Sequence, residues 1–266
     1  VFIKLIQIFV LFYVGLLAVL YIYQRNLIYF PDTKRPQPVA GAQIVNVTTA
    51  DDFDISAWYF PPKTDDKPVL VYFHGNAGHY GHRISKIMAY LDAGYGVLLA
   101  EYRGFGGNPG KFSEEGFYRD GRAYMDWVIK ANNIPADKLV IYGESVGSGI
   151  AVQMATEYDI AALILETPFS SLLELAQQRY PYVPIKLMLK DSYMNIQKIG
   201  RIHVPLLILH GHKDSIVPFS QGQKLHAAAN SPKTLIDFPQ ANHNDIYSWG
   251  ADMHVLEFLA GFEDTE

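Results

Sequence analysis

The chain has no cysteine among its 266 residues. That absence excludes a disulfide scaffold, thiolate-bound zinc or iron–sulfur centres, a thiol nucleophile and S-acylation of this chain. It leaves the redox compartment open, because a cysteine-free protein is stable in either environment. Charge is sparse as well: charged residues make up 18% of the sequence, the formal net charge is −5, and no run of five like charges occurs. Without a phosphate-neutralising stripe, nucleic acid is not an expected partner. Internal repeats and low-complexity linkers are also lacking, so one globular domain is the simplest count. What the sequence does have is core material, since 49% hydrophobic residues exclude a disordered chain.

Residues 5–23 form a nineteen-residue apolar run in which Gln7 is the only strongly polar side chain and Gly15 the only poor helix former. At about 1.5 Å per residue such a helix spans roughly 28 Å, close to the hydrocarbon thickness of a bilayer. The run predicts a single-pass membrane anchor over residues 1–28. A core helix would be unusually apolar all round, and a cleaved signal peptide lacks its small-x-small site. Lys4 with the amino terminus nearly balances Arg25, Lys34 and Arg35, so the side of the membrane stays open.

Beyond Pro31 the composition turns to that of a water-soluble domain. Residues 43–48 and 53–60 are β-branched or aromatic runs around Ala50-Asp51-Asp52, the pattern of a hairpin. Near-continuous apolar runs at 69–73, 96–100, 139–142, 162–165 and 206–209 read as strands buried on both faces. Stretches of helical period lie between them at 84–93, 113–132 and 145–158, with Ser113 as an N-cap followed by Glu114 and Glu115 in the first turn. The alternation predicts an α/β fold with a mostly parallel central sheet, helices on both faces and functional groups at the carboxyl ends of the strands.

At one such end stands Gly143-Glu144-Ser145-Val146-Gly147, a G-x-S-x-G nucleophile elbow between a strand and a helix. A serine hydroxyl is almost wholly protonated at neutral pH and needs a base, and that base needs an orienting acid. His243, in the polar loop Ala241-Asn242-His243-Asn244-Asp245 between the strand-like 234–238 and the helix-like 246–262, is the candidate base. Asp214, just after the strand at 206–209, is the candidate acid, with Asp245 as its nearest alternative. The backbone amides of Asn76, in the loop His74-Gly75-Asn76-Ala77-Gly78, and of Val146 are the candidate donors to an oxyanion. His74 is read as bracing that loop.

The motifs His74-Gly-Asn-Ala-Gly, Glu101-Tyr-Arg-Gly-Phe-Gly, Gly143-Glu-Ser-Val-Gly, His210-Gly-His-Lys-Asp and Asn242-His-Asn-Asp resemble those of the α/β-hydrolase superfamily. More narrowly, with the apolar amino-terminal segment, the chain resembles its membrane-anchored serine hydrolases, whose relatives include acyl-protein thioesterases and lipid esterases. The resemblance implies an α/β-hydrolase fold over residues 29–266 and a Ser145, Asp214, His243 triad. It also implies hydrolysis of acyl esters or thioesters. Confinement beside the bilayer, the expected partner, favours lipids or lipidated proteins as substrates, and the triad needs neither metal nor organic cofactor. One departure lies in Gly104-Phe-Gly-Gly-Asn-Pro-Gly110, where many relatives carry a serine before the last glycine. That segment is read as a turn, so the departure touches no catalytic role.

A segment at about 167–203 occupies the place of a lid and is dense in apolar residues, among them Phe169, Tyr180, Tyr182 and Leu187. These four are candidate substrate contacts, or else they cover the sheet edge or meet the bilayer alongside Lys186 and Lys190. Two rivals stand beside the esterase reading. His210-Gly-His212-Lys-Asp214 begins an H-x-H-x-D zinc pattern, with His74, His79 and His82 as further imaginable ligands, but the position after Asp214 is Ser215 and the serine elbow would go unexplained. The other is a membrane-tethered scaffold that kept the fold without the chemistry. An amidase or peptidase is chemically open to the same triad.

Overall fold

The computed structural model describes residues 1–261. Helix α1 (Phe2–Ile28) has no proline to break it and is, among the described residues, the helix long and apolar enough to cross a bilayer. Most of its length carries exposed apolar side chains, whereas Gln24 near its end is buried. A two-residue parallel bridge of Phe30–Pro31 with Ala77–Gly78 then passes the chain to the domain.

The central sheet has eight strands among the described residues: β1 (Gln43–Thr48), β2 (Asp54–Phe60), β3 (Val69–Phe73), β4 (Gly96–Ala100), β5 (Leu139–Glu144), β6 (Ala162–Glu166), β7 (Leu206–Gly211) and β8 (Lys233–Phe238). Their spatial order is β1-β2-β4-β3-β5-β6-β7-β8. The hairpin of β1 and β2 forms as expected, and β2 runs antiparallel to β4; the other pairs are parallel. The apolar runs are buried on both faces because side chains alternate. Val69, Val71 and Phe73 enter one core with α3 (Glu114–Asp126) and α4 (Gly147–Ala155). Leu70 and Tyr72 enter the other with α2 (Ile84–Asp92) and α9 (Ala251–Ala260).

Ser113 caps α3 as expected, accepting from the Gly116 amide at 3.0 Å. The helix expected over 113–132 is α only to Asp126; its end widens into a π turn, with the Asn132 N–H reaching the Trp127 carbonyl at 3.3 Å. The helix expected over 246–262 is broken. Gly250 adopts a left-handed φ of +84° that ends a 3-10 turn (Ile246–Trp249), and α9 starts afresh at Ala251. Phe262 lies outside the described residues.

Between β6 and β7 the lid segment folds into α5 (Leu172–Arg179), α6 (Ile185–Met188) and α7 (Asn195–Lys198). It is fastened through Asp191, whose carboxylate accepts from the Arg25 guanidinium at 2.8 and 2.9 Å and from Tyr29 Oη at 3.2 Å. Glu114 adds a second clasp, accepting from the Ser192 and Tyr193 amides at 2.6 and 3.0 Å. A helix α8 (Phe219–Ala228) covers the sheet beyond β7.

The tightest packing in the sheet centre is α4 against β3, where a Cβ on Gly147 would collide with the Phe73 carbonyl. Gly147→Ala is therefore expected to destabilise the protein by about 2 kcal/mol through overpacking, measured as a shift in the denaturation midpoint.

Candidate active site

The site is assembled from the carboxyl ends of β5, β7 and β8. Ser145 sits between β5 and α4 at φ +51°, a left-handed conformation that costs a residue with a Cβ about 1 kcal/mol. The chain is held there because α4 packs almost on the strand: a Cβ on Gly143 would lie 2.6 Å from the Ala151 Cβ and 2.7 Å from the Ser148 Cα. The Ser145 amide donates to the Glu166 carbonyl at 2.9 Å, which ties the turn to β6. The result is a hydroxyl lifted off the sheet just before the first turn of a helix, and Ser145 and Val146 line the same cavity.

His243 lies in the loop after β8. Asn242 holds that loop by accepting from the Ser215 amide at 3.0 Å and the His243 amide at 2.7 Å, and Asp245 accepts from the Asn242 amide at 2.6 Å. Asp245 thus braces the backbone and does not contact the imidazole ring. His243 Nε2 is 3.0 Å from Ser145 Oγ, and His243 Nδ1 is 2.7 Å from Asp214 Oδ2. Asp214 accepts further from the Ile216 and Val217 amides at 2.9 and 2.7 Å, and His210 Nε2 stands 3.3 Å from its Oδ2. Ser145, His243 and Asp214 are each 7% exposed. Burial pushes the Asp214 carboxyl up, but the hydrogen bonds from His210, His243 and Val217 outweigh it and hold the group at about 2.

Behind the serine lies a buried ionic cluster that no local pattern in the sequence announces. Glu144 accepts from Arg83 at 2.8 and 3.2 Å and from Tyr72 Oη at 3.0 Å, and Lys86 bridges it to Glu166 at 3.3 and 2.6 Å. Burial alone would raise both carboxyls. At Glu144 the Lys86 and Arg83 charges win and keep it below the ordinary carboxylate range, whereas burial with the Glu144 charge leaves Glu166 above it.

Asn76 and Val146 both line the cavity at Ser145. Asn76 is also fixed from its other side, since its Nδ2 donates to the Ile28 carbonyl at 2.6 Å and its carbonyl accepts from the Phe30 amide at 2.8 Å. His74 braces its loop as expected: its ring nitrogens lie 2.7 Å from the Gly75 carbonyl and 2.7 Å from Glu101. The cavity measures about 790 Å³ and is mostly apolar. Phe169 and Tyr180 line it. Tyr182 and Leu187 do not, and this corrects their reading as substrate contacts. They are 88% and 86% exposed, because the same stretch of lid turns Val183, Ile185 and Met188 inward and leaves its alternate positions facing out.

The zinc pattern is not assembled. β7 ends at Gly211, so His210 stays in the core, 2.9 Å from the Val217 carbonyl, while His212 is at the surface, 2.8 Å from Asp237. His79 and His82 stack at 3.8 Å beside Asp32, away from both.

The chain belongs to the α/β-hydrolase family. The family model described as "Serine aminopeptidase, S33" matches residues 64–190. An uncharacterized protein of Mycobacterium tuberculosis is 37% identical over 237 residues, covering 87% of this chain and 84% of that one. Protein bem46 of Schizosaccharomyces pombe is 29% identical over 263 residues, covering 92% and 88%. Among solved structures, an esterase from Pyrococcus furiosus superposes with a TM-score of 0.72 at 19% identity, covering 87% of this chain and 98% of that one.

Because the folded Asp214 carboxyl titrates below its unfolded value of about 3.9, its stabilisation is present above that pH and is lost as pH falls toward 2. Urea unfolding in detergent at pH 4 and pH 2 is expected to show wild type losing about 2 kcal/mol more than Asp214→Asn over that interval.

Proposed function

We propose that the protein is a serine hydrolase that cleaves carboxylic esters or thioesters bearing acyl chains, working at a membrane to which residues 1–28 anchor the domain of residues 29–266. The observation that carries this reading is the hydrogen-bonded line from Ser145 Oγ through the His243 ring to Asp214 at the floor of an apolar cavity. In this mechanism His243 Nε2 takes the Ser145 proton as the hydroxyl attacks the acyl carbonyl, and Asp214 orients the imidazole and stabilises its charged form. The amides of Asn76 and Val146 receive the oxyanion. His243 then protonates the departing alcohol or thiol, and water, activated by the same imidazole, releases the acyl group from Ser145.

The same triad can attack an amide, and the matched family model is described as an aminopeptidase. The cavity favours the ester. An aminopeptidase needs an anionic partner for the substrate's ammonium, and the one carboxylate among the described lining residues, Glu144, is already paired with Arg83 and Lys86. The P. furiosus relative in fold is an esterase by its description.

Hydrolysis of nitrophenyl and thioester substrates from acetyl to palmitoyl, by detergent-solubilised protein, tests the reading. Ser145→Ala is expected to fold and to lose at least about a thousandfold in rate and all labelling by a fluorophosphonate. Turnover retained in a clean Ser145→Ala preparation would overturn the assignment.

A further inference from the structure

We infer that helix α1 is itself one wall of the acyl-binding site, and that the substrate is a membrane lipid ester or lipidated group whose chain passes from the bilayer between α1 and the lid to Ser145. The inference rests on the serine hydrolase reading and on the membrane role of α1. Its first support is the shape of the cavity. On one side stand Leu20, Leu27 and Ile28 of α1, and on the other Leu175, Val183 and Met188 of the lid, with Ser145 and His243 at the inner end. A volume of about 790 Å³ is toward the upper end of the range of clefts that bury most of a small-molecule ligand, room for part of an acyl chain.

The second support is how α1 is fastened. A plain tether needs no specific contacts, yet α1 is bonded to the lid from Tyr13 to Arg25. The Gln24 amide bonds to the lid twice: its Nε2 donates to the Met188 carbonyl at 3.1 Å and its Oε1 accepts from the Lys190 amide at 2.7 Å. Arg25 pairs with Asp191, a carboxylate whose side chain is 2% exposed. Farther from the domain, Lys190 Nζ sits 4.2 Å from the centre of the Tyr21 ring, and Tyr13 Oη donates to the Tyr182 carbonyl at 2.5 Å. These contacts hold one side of a cavity open to the same surface that the apolar helix occupies.

The third support is depth. Tyr13 lies ten residues before Tyr23, roughly 15 Å along the helix axis. With residues 5–23 in the bilayer, the lid tip that Tyr13 touches is below the headgroups, and the exposed Lys186 and Lys190 of the same segment reach back toward them. That accounts for Tyr182 and Leu187, which face away from the cavity and are almost fully exposed without being polar. A lid immersed in lipid places the mouth between α1 and α6 among acyl chains, so a chain can enter without crossing water.

The test uses the full chain in phosphatidylcholine vesicles. Ser145→Ala protein is exposed to a palmitoyl ester carrying a diazirine on its chain, irradiated and mapped by peptide. Label on residues 20–28 together with the lid is expected, and label confined to the lid or to the rest of the domain would overturn the inference whatever the catalytic outcome. In a second arm, Leu27→Trp is expected to lower the ratio of palmitoyl to acetyl ester turnover about tenfold, near the value of two lost methylene contacts. Leu16→Trp, on α1 but outside the cavity, is the control and is expected to keep the ratio. Equal ratios in the two variants would also overturn the inference, with circular dichroism and thermal unfolding reporting that each has folded. Acetyl ester hydrolysis that survives Ser145→Ala would instead remove the serine hydrolase reading, and the photolabel would still report whether α1 meets the chain.

Discussion

The site depends on how closely α4 can approach the sheet. At Gly143 and Gly147 the helix, β5 and the Phe73 carbonyl of β3 come within a distance that a β-carbon would violate. The chain can make that approach only by turning sharply, and the residue at the apex, Ser145, accepts a left-handed backbone in consequence. The strain is small beside the packing that imposes it, because the strands on either side are buried on both faces. The same turn brings Ser145 and Val146 to the wall of one cavity, so the proposed nucleophile and a proposed oxyanion donor are products of a single constraint.

The turn also has to be held from behind. Glu144 precedes the serine and is buried, and an unpaired carboxylate there would be costly. Arg83 and Lys86, projected from the start of α2, neutralise it, and Lys86 extends the tie to Glu166 at the end of β6. The Glu166 carbonyl in turn accepts from the Ser145 amide. Three elements are thereby locked around the apex by charge-assisted bonds, while Asp214 does the corresponding work for His243 with two backbone amides and His210. The carboxylates at this centre are each paired, and most of the cavity wall is left apolar.

Much of this was legible in order along the chain. The strands at 69–73, 96–100, 139–142, 162–165 and 206–209 announce themselves because burial on both faces demands continuous apolar runs, and Ser145, Asp214 and His243 stand where those strands or their neighbours end. The residues that failed to show are of two kinds. Arg83, Lys86 and Glu166 are charged residues with no motif of their own, and their pairing with Glu144 exists only once α2 and β6 flank β5. Tyr182 and Leu187 have the composition of a groove, but whether an apolar residue in a short irregular segment faces in or out is decided by its neighbours; here Val183 and Met188 took the inward positions.

The sequence by itself determined the sheet, the elbow and the identity of the three aligned residues, because periodicity, glycine placement and the ends of apolar runs are local properties. It also determined that α1 would be apolar over residues 5–23. Only the tertiary structure decided that α1 is more than a tail: Gln24, Arg25 and Tyr29 find Met188, Lys190, Asp191 and Tyr193 about 160 residues away, and the cavity closes between those two segments. Contacts at such separation carry no local signature, since nothing in either segment's own pattern requires the other.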